Sequence, residues 1–584
     1  MRTKAANRRI VALAGAFVVL LGVALARAFW LQAVNGDAYA AMAVNQHRET
    51  VVVPAGRGTI TDRNGEPLAI GKPATTVYAN PRQVDRPRDL TLAASKILGV
   101  DQGATYAALT DRSRGFVYLA RKADSARAEK LEGLGFAGLG FYPEELRTYP
   151  QGSVGAQVIG FAGLDNVGLE GLERSLEKQL AGQPGSRTIV KDPLGRALDV
   201  VSTKAETPGK GIRLTIDHQV QANAEMVLRD VVRRYGAKAA SAIVMSPRTG
   251  EVLAMATAPG FDANRFAITR PDRRRNRAVT DTYEPGSTFK LVTIAAALEQ
   301  GIVSPHTAFR LAPTIKVADR VIHESHTRGT EVLSVRQIVE YSSNIGTITI
   351  AQRLGEGGLA SWIDRFGFGR PTGIDFPGES SGFALPLDQW SGSTIGTVPI
   401  GHGIAVTPIQ MARAYAAIGN GGVLVQPHLV ERVDGQTVHM HRGRRVVSRR
   451  VSRQMMSMLR GVVLEGTGTA AAIPGYTVAG KTGTAAKIDS NGRYSHSRYV
   501  ASFVGLVPAT KPELVIMVMV DEPQGSIYGG DVAAPAFREI ARFNLQHLEV
   551  PPDAPRKAKG ERQTTAAAKA RTTATAQEQR RPGR

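Results

Sequence analysis

The sequence predicts a mixed α/β (α+β) protein carrying a single membrane-spanning helix at its N-terminus. Three observations predict it. The first is the stretch "MRTKAANRR" followed by "IVALAGAFVVLLGVALA", uncharged from Ile10 to Ala26 and nearly long enough to cross a bilayer. The second is a segment from about 36 to 205 in which strand-like and helix-like pieces alternate. The third is a later region whose strand patterns sit at its two ends with alanine-rich helices between. That arrangement requires a sheet assembled from distant parts of the chain.

The elements follow in order. Phe29, Trp30 and Leu31 extend the apolar run, and Arg27 is long enough to snorkel to the far headgroups. Arg2, Lys4, Arg8 and Arg9 hold the N-terminus (residues 1–9) in the cytoplasm, the span covers 10–34, and the rest lies outside. A cleaved signal peptide is the rival reading, opposed by the length of the run and by the lack of a small-residue cleavage site before a polar break. In 36–205, "ETVVVPAGRGTITDRNGEPLAI" reads as strands, and "DLTLAASKILGV" and "ADSARAEKLEGLGF" as helices. "VGLEGLERSLEKQLAGQPG" reads as one amphipathic helix ending at Gly182 and Pro184. "SRTIVKDPLGRALDV" is a hairpin turning at Asp192–Gly195.

A polar boundary, Ser202 to Gly211, precedes the second region, 211–548. There "IRLTID" is a short strand and "HQVQANAEMVLRDVVRRYG" a long amphipathic helix. "ASAIVMSPRTGEVLAMATAP" is a hairpin turning at Pro247–Gly250. "YVASFVGLVPA" and "ELVIMVMVDEP" are strands, and a final helix runs from about Ala534 to Leu548. The remainder, 549–584, lacks apolar periodicity and is expected to be a disordered basic tail.

Composition sets limits. The 584 residues suit two or three domains, and 43% hydrophobic with 21% charged residues is globular. Zero cysteines exclude disulfides, thiol catalysis and thiolate metal sites. The net charge of +22 first suggests nucleic acid, but the basic bulk lies outside the cell, where lipid headgroups or wall polymers are the anionic surfaces. No Cys/His cluster implies a zinc site, and no cofactor motif stands out. "LGEGG" and "GNGG" lack a Walker lysine and read as turns.

The chemistry centres on "YEPGSTFK". Pro285 and Gly286 open a helix that Gly301 stops, and Ser287 and Lys290, at i and i+3, share one face where hydroxyl and amine can touch. The helix has almost no polar face, so Lys290 is desolvated, and a neutral amine can take a proton from a hydroxyl. Taken alone, the pair reads more readily as a serine N-cap and a lysine reaching back to solvent, since a two-residue pattern is common by chance. Downstream come "YSSNIG", with Ser342 and Asn344, and "VAGKTGTAAK", with Lys481, Thr482, Gly483 and Thr484. Each alone is ordinary loop or edge-strand chemistry.

Together, in this order, the three motifs resemble the Ser-x-x-Lys, Ser-x-Asn and Lys-Thr-Gly set of the penicillin-binding proteins and class A β-lactamases. The resemblance to class B penicillin-binding proteins covers nearly all of the chain before the tail. "RGTITDRNGEPLA" and "VGLEGLERSLEKQLAG" are similar to the pedestal, or dimerisation-type, domain. "LTIDHQVQ", "VMSPRTGEVLAMATAPGFDANRF" and "GHGIAVTPIQMARAYAAIGNGG" are similar to the transpeptidase domain. One departure is Gln157, where the family is expected to have histidine. Asn344 and "YEPGSTFK" favour the cell-division (FtsI-like) type over the elongation type.

The resemblance implies a β-lactamase-like domain with a central antiparallel sheet flanked by helices, acting on muropeptide stems that end in D-Ala-D-Ala and inhibited by β-lactams. It implies Ser287 as nucleophile, Lys290 as its base, and Ser342 and Lys481 passing the proton to the leaving amine. Asn344 would hold the substrate amide, and Thr482 and Thr484, around Gly483, the terminal carboxylate. The backbone N–H groups of Ser287 and Thr484 would form the oxyanion hole, each worth about 3 kcal/mol. Implied partners are a multi-span glycan polymerase and other division proteins.

His323, His326 and His402 are read as structural, because the Ser/Lys set already supplies acid–base groups. "KIDSNGRYSHSRY" reads as a polar loop shaping access. The Arg270 to Arg277 patch reads as a solvated loop or a contact for glycan or a partner. The competing classes are a carboxypeptidase or β-lactamase, in which water resolves the acyl-enzyme, and a non-enzymatic scaffold or sensor. The membrane anchor and pedestal argue against the first, and the nine residues ahead of the span argue against the second.

Overall fold

A computed structural model describes residues 2–37, 48–191, 197–440 and 443–554. The expected turn at 192–195 and the tail from 555 onward lie outside these residues.

The N-terminal run forms an α-helix, Arg2–Phe29, continued by a π-helical turn, Trp30–Val34. Ile10, Leu13, Phe17, Leu20 and Leu25 are all exposed along it. Asn7–Val34 is long and apolar enough to cross a membrane.

Two compact units divide the chain: 1–57, 74–144 and 181–209 form one, and 58–73, 145–180 and 210 onward form the other. The segments of the span 36–205 are shared between these two units. Ile60, Leu68, Ala69, Phe161 and Leu172 are fully or almost fully buried in the same core as Ile212, Leu214 and Ile216, so burial assigns their segments to the second unit.

In the first unit, Arg48–Val53 pairs antiparallel with Gly185–Lys191, which pairs with Ala197–Lys204. Residues 74–79 pair with Val117–Asp124. Helices Pro87–Leu98, Gln102–Thr110 and Ser125–Glu132 contribute Leu90, Ala94, Leu109, Ala128 and Leu131 to a core with Val77 and Val117. Asp101 and Asp124 cap the second and third helices by accepting from Ala104 N and Arg127 N.

The second unit is built on a five-stranded antiparallel sheet. Its order is Val252–Ala258, Ala239–Met245, Leu514–Asp521, Tyr494–Val507, Ala479–Ile488. Both faces of the central strands are buried, which is why they read as unbroken apolar runs. One face packs against His218–Arg234 and Gly529–His547, the other against Lys290–Glu299, Pro408–Gly419 and Arg449–Leu464. The sheet of chain-distant strands flanked by helices is the predicted architecture.

Five local expectations change. "VGLEGLERSLEKQLAG" is a short strand, Gly168–Glu170, followed by two short helices, Gly171–Ser175 and Glu177–Leu180, because the chain leaves helical geometry at Leu176. "LGEGG" is not a turn: only Gly355 breaks the chain, and Gly357 and Gly358 lie in the helix Glu356–Phe366. The last helix begins at Gly529 rather than Ala534, with Pro535 accommodated inside it. "KIDSNGRYSHSRY" is a hairpin arm rather than a loop, since Ile488 still pairs with Tyr494 and Arg498 holds Asp489. The second unit also extends past 548: Asp553 accepts from Thr477 N at 2.6 Å and Thr510 Oγ1 at 2.6 Å.

Candidate active site

"YEPGSTFK" forms a 3-10 turn, Gly286–Phe289, that becomes an α-helix at Lys290. The turn presses against the edge strand Ala479–Ile488. Gly286 adopts a φ of +53°, and a Cβ there would stand 2.8 Å from Thr484 O. A Cβ on Gly483 would stand 2.9 Å from Pro285 O. Any side chain at either position pushes the serine turn off the strand. Gly286 N also donates to Gly401 O at 3.1 Å, which ties the turn to the "GHG" loop.

Ser342 and Asn344 lie where one helix ends and the next begins. Ser343 caps Asn344–Leu354, accepting from Gly346 N at 2.9 Å. Ser342 takes a left-handed φ of +60°, uncommon for a residue with a side chain. The strain is held by Glu324, whose carboxylate accepts from Ser343 Oγ (2.5 Å), Asn344 N (2.8 Å) and Ile345 N (3.3 Å). Sequence reasoning missed Glu324, because nothing local marks an acid some twenty residues upstream as the brace of this motif.

The three motifs meet in one hydrogen-bonded set. Lys290 Nζ donates to Ser342 O (2.6 Å), Asn344 Oδ1 (2.7 Å) and Ser342 Oγ (3.3 Å). Lys481 Nζ donates to the same Ser342 Oγ at 2.9 Å. The two lysines are only 2% and 1% exposed. Burial, and then the neighbouring Lys481 charge, hold the Lys290 amine well below the ordinary lysine range; Arg328 adds to this and Glu324 opposes it. Burial lowers Lys481 to about 7. The predicted direct contact of Ser287 with Lys290 is absent among the described residues: Lys290 turns to Ser342 and Asn344, leaving the half-buried Ser287 hydroxyl without a hydrogen bond.

A cavity of about 560 Å³ opens over this set. Ser287, Ser342, Asn344, Thr482 and Thr484 line it, with Thr467, Tyr499 and Tyr528. Thr482 and Thr484 share a strand face by alternation. Thr482 Oγ1 lies 2.7 Å from Thr467 Oγ1, and Thr484 Oγ1 accepts from Gly529 N at 3.1 Å, leaving its own hydrogen to donate. Asn344 Nδ2 donates to His323 O at 3.1 Å, so meeting a substrate amide means exchanging that carbonyl. His326 and His402 both line the cavity. His323 contributes only its carbonyl.

A serine turn, two desolvated lysines sharing a second serine, and a Lys-Thr-Gly edge strand are what the family resemblance requires. A profile described as the penicillin-binding protein transpeptidase domain matches residues 240–542, and one described as the penicillin-binding protein dimerisation domain matches 52–214. The Escherichia coli K12 protein named peptidoglycan D,D-transpeptidase FtsI is 34% identical over 554 residues, 94% of this chain and 93% of that one. The chain belongs to the class B penicillin-binding proteins. Another relative of this class B chain, stage V sporulation protein D of Bacillus subtilis, is 35% identical over 92% of this chain and 86% of that one. Penicillin-binding protein 3 of Mycobacterium tuberculosis, solved with aztreonam, superimposes with a TM-score of 0.68 at 31% identity, covering 86% of this chain and 99% of that one.

Elsewhere in the second unit, Gln157 is buried where a histidine was expected. Its Nε2 donates to Pro259 O (3.3 Å) and Arg273 O (3.1 Å). The basic patch is tied to acids: Arg270 to Asp272, Arg274 to Glu170, and Arg275 and Arg277 to Asp281.

Proposed function

We propose that this class B protein is a peptidoglycan D,D-transpeptidase that cross-links stem peptides at the division septum through an acyl-Ser287 intermediate. The observation that carries the reading is the Lys290–Ser342–Lys481 set beneath the cavity that Ser287 lines. Both amines are shifted toward the neutral form, the state in which an amine accepts a proton.

In this reading Lys290, or Ser342 relaying to it, takes the proton as Ser287 Oγ attacks the penultimate carbonyl. The oxyanion meets the N–H groups of Ser287 and Thr484 on the tightly apposed turn and strand. Ser342, held between the two lysines, delivers the proton to the departing D-Ala amine. Thr482 and Thr484 donate to the terminal carboxylate beside Lys481. Gly483 serves by having no side chain. An amine of a second stem then resolves the ester.

The N-terminal helix supports a single-pass anchor with a cytoplasmic N-terminus, since its exposed apolar residues need a lipid covering. A multi-span glycan polymerase and other division proteins are the partners this reading carries. The septal assignment rests on Asn344 in the second motif, and the kinship to both a protein named FtsI and a sporulation protein leaves it open to test. A fluorescently tagged copy should gather at the septum; lateral placement would assign it to elongation.

The test of the chemistry is labelling with a fluorescent penicillin. Wild-type protein should retain a covalent adduct on the peptide containing "YEPGSTFK". Ser287→Ala should lose it with little change in Tm, since one hydroxyl contributes little packing. An adduct on Ser342, or undiminished labelling of the variant, overturns the assignment of the nucleophile. Folded wild-type protein that takes no label would favour the non-enzymatic scaffold.

A further inference from the structure

His402 stands apart from the lysine set yet lines the same cavity as Ser287. Its position is fixed by the backbone: Gly401, at φ +83°, accepts from Gly286 N at 3.1 Å, so the residues that follow the two glycines are His402 and Ser287. His402 Nδ1 lies 2.7 Å from Glu284 Oε2. The other carboxylate oxygen accepts from Gly403 N at 2.9 Å and Tyr494 OH at 3.1 Å. The Tyr494 ring meets the imidazole edge-on with centroids 5.4 Å apart.

These contacts define a tautomer as well as a place. A carboxylate can only accept, so Nδ1 carries the hydrogen, and the site open to take a proton is the lone pair that the ring in its neutral form has at Nε2. Among the described residues Nε2 makes no hydrogen bond. Nor does any hydrogen bond join this pair to Lys290, Ser342 or Lys481. The cavity thus holds two separate acid–base assemblies, while a transpeptidase has two half-reactions with different proton needs.

We propose that His402, oriented by Glu284, is the base that takes the proton of the acceptor amine when the acyl-enzyme is resolved. This rests on the acyl-Ser287 reading above. The neutral acceptor nitrogen attacks the ester carbonyl carbon, a C–N bond forms, and one N–H proton passes to His402 Nε2. The tetrahedral adduct collapses, the bond from carbon to Ser287 Oγ breaks, and the imidazolium returns its proton to Oγ. Ser287 and neutral His402 are regenerated and the product is an amide. His402 is the catalytic residue of this step, and Glu284 is a positioning residue acting through it.

The experiment uses the full-length protein in detergent with an N-acyl-D-alanyl thioester as donor and glycine ethyl ester or a D-amino acid as acceptor. Because the chain has no cysteine, the released thiol reports acylation without protein background. Product analysis then gives the ratio of aminolysis to hydrolysis. His402→Gln should lower that ratio at least tenfold relative to wild type. Glu284→Gln should lower it less and steepen the dependence of aminolysis on the basicity of the acceptor, which a purely structural brace would not do. An unchanged ratio in His402→Gln overturns the proposal. So does a parallel fall in thiol release and aminolysis in both variants, which would make the pair structural. Failure of wild type to form an acyl adduct at Ser287 is a different result, and overturns the underlying reading instead.

Discussion

Two of the clusters of titratable side chains in the second unit are built on opposite principles. Around Asp62 and Asp217, all four carboxylate oxygens accept two hydrogen bonds each. Asp62 takes Asn64 N, Glu66 N, His218 N and His218 Nδ1. Asp217 takes Gln219 N, Val220 N, Asn64 Nδ2 and His547 Nε2. Burial alone would raise the Asp217 pKa, but His547 and Val220 N outweigh it and the net shift is downward. His218 and the two aspartates lie close enough to suggest a metal, but their lone pairs already cap a helix and clamp a turn. Around Lys290 and Lys481 the partners are neutral oxygens, and the amines are pushed toward losing their protons. A saturated cluster holds its charge and stabilises the fold; an under-compensated one gives up its charge and can move protons.

Substitutions on the two sides should separate these roles. The largest effect falls on Lys481→Ala, which should slow acylation by penicillin by about a thousandfold, through lost proton relay and carboxylate recognition. A near-normal rate would mean that the wrong lysine has been assigned. The same position carries a stability signature. A lysine whose pKa falls from 10.5 to about 7 on folding binds fewer protons folded than unfolded throughout that window. Stability therefore rises with pH from about 7 to 10.5, and the neutral Lys481→Met should be more stable than wild type at pH 7, by at most about 5 kcal/mol. Thermal melts across pH test the sign.

Gly483→Ala is expected next, with acylation slowed about a hundredfold, because its methyl meets Pro285 O and displaces the serine turn; stopped-flow acylation measures it. Glu324→Gln should slow acylation about tenfold and lower Tm modestly, since charged hydrogen bonds to buried groups are worth roughly 1.5–3 kcal/mol. The smallest kinetic effect belongs to Asp217→Ala. It should cost about 1–3 kcal/mol of stability by denaturant titration, a cap being worth about 1 kcal/mol, while acylation stays within about twofold. A large kinetic loss there would erase the distinction between the two clusters.

What was legible in the sequence was what short-range chemistry encodes. "YEPGSTFK", "YSSN" and "VAGKTG" carry turn residues and reactive groups within a few positions, and the apolar strands "SAIVM" and "ELVIMVMV" announce a buried sheet. Long-range partnerships were not legible. Glu324 reaches Asn344, and Glu284 reaches His402 across 118 positions, with no local signal in either case. The division of 36–205 between two units was hidden for the same reason: Phe161 and Leu172 read as ordinary apolar residues until Ile212 and Leu214 appear beside them. Pro535 concealed the true start of the last helix, because proline reads as a helix opening and here sits inside one.

The central claim, that desolvated amines activate Ser287, is tested most directly by the pH dependence of the second-order acylation rate with a penicillin that does not titrate between about pH 5 and 9. Lys481 becomes protonated as pH falls through about 7, and once its lone pair is gone the Ser342 hydroxyl that it holds can no longer pass on the proton taken from Ser287. The rate should be level above about pH 8 and fall toward about tenfold per unit below about pH 7. A rate that stays constant down to about pH 5, or rises on acidification, would contradict the account.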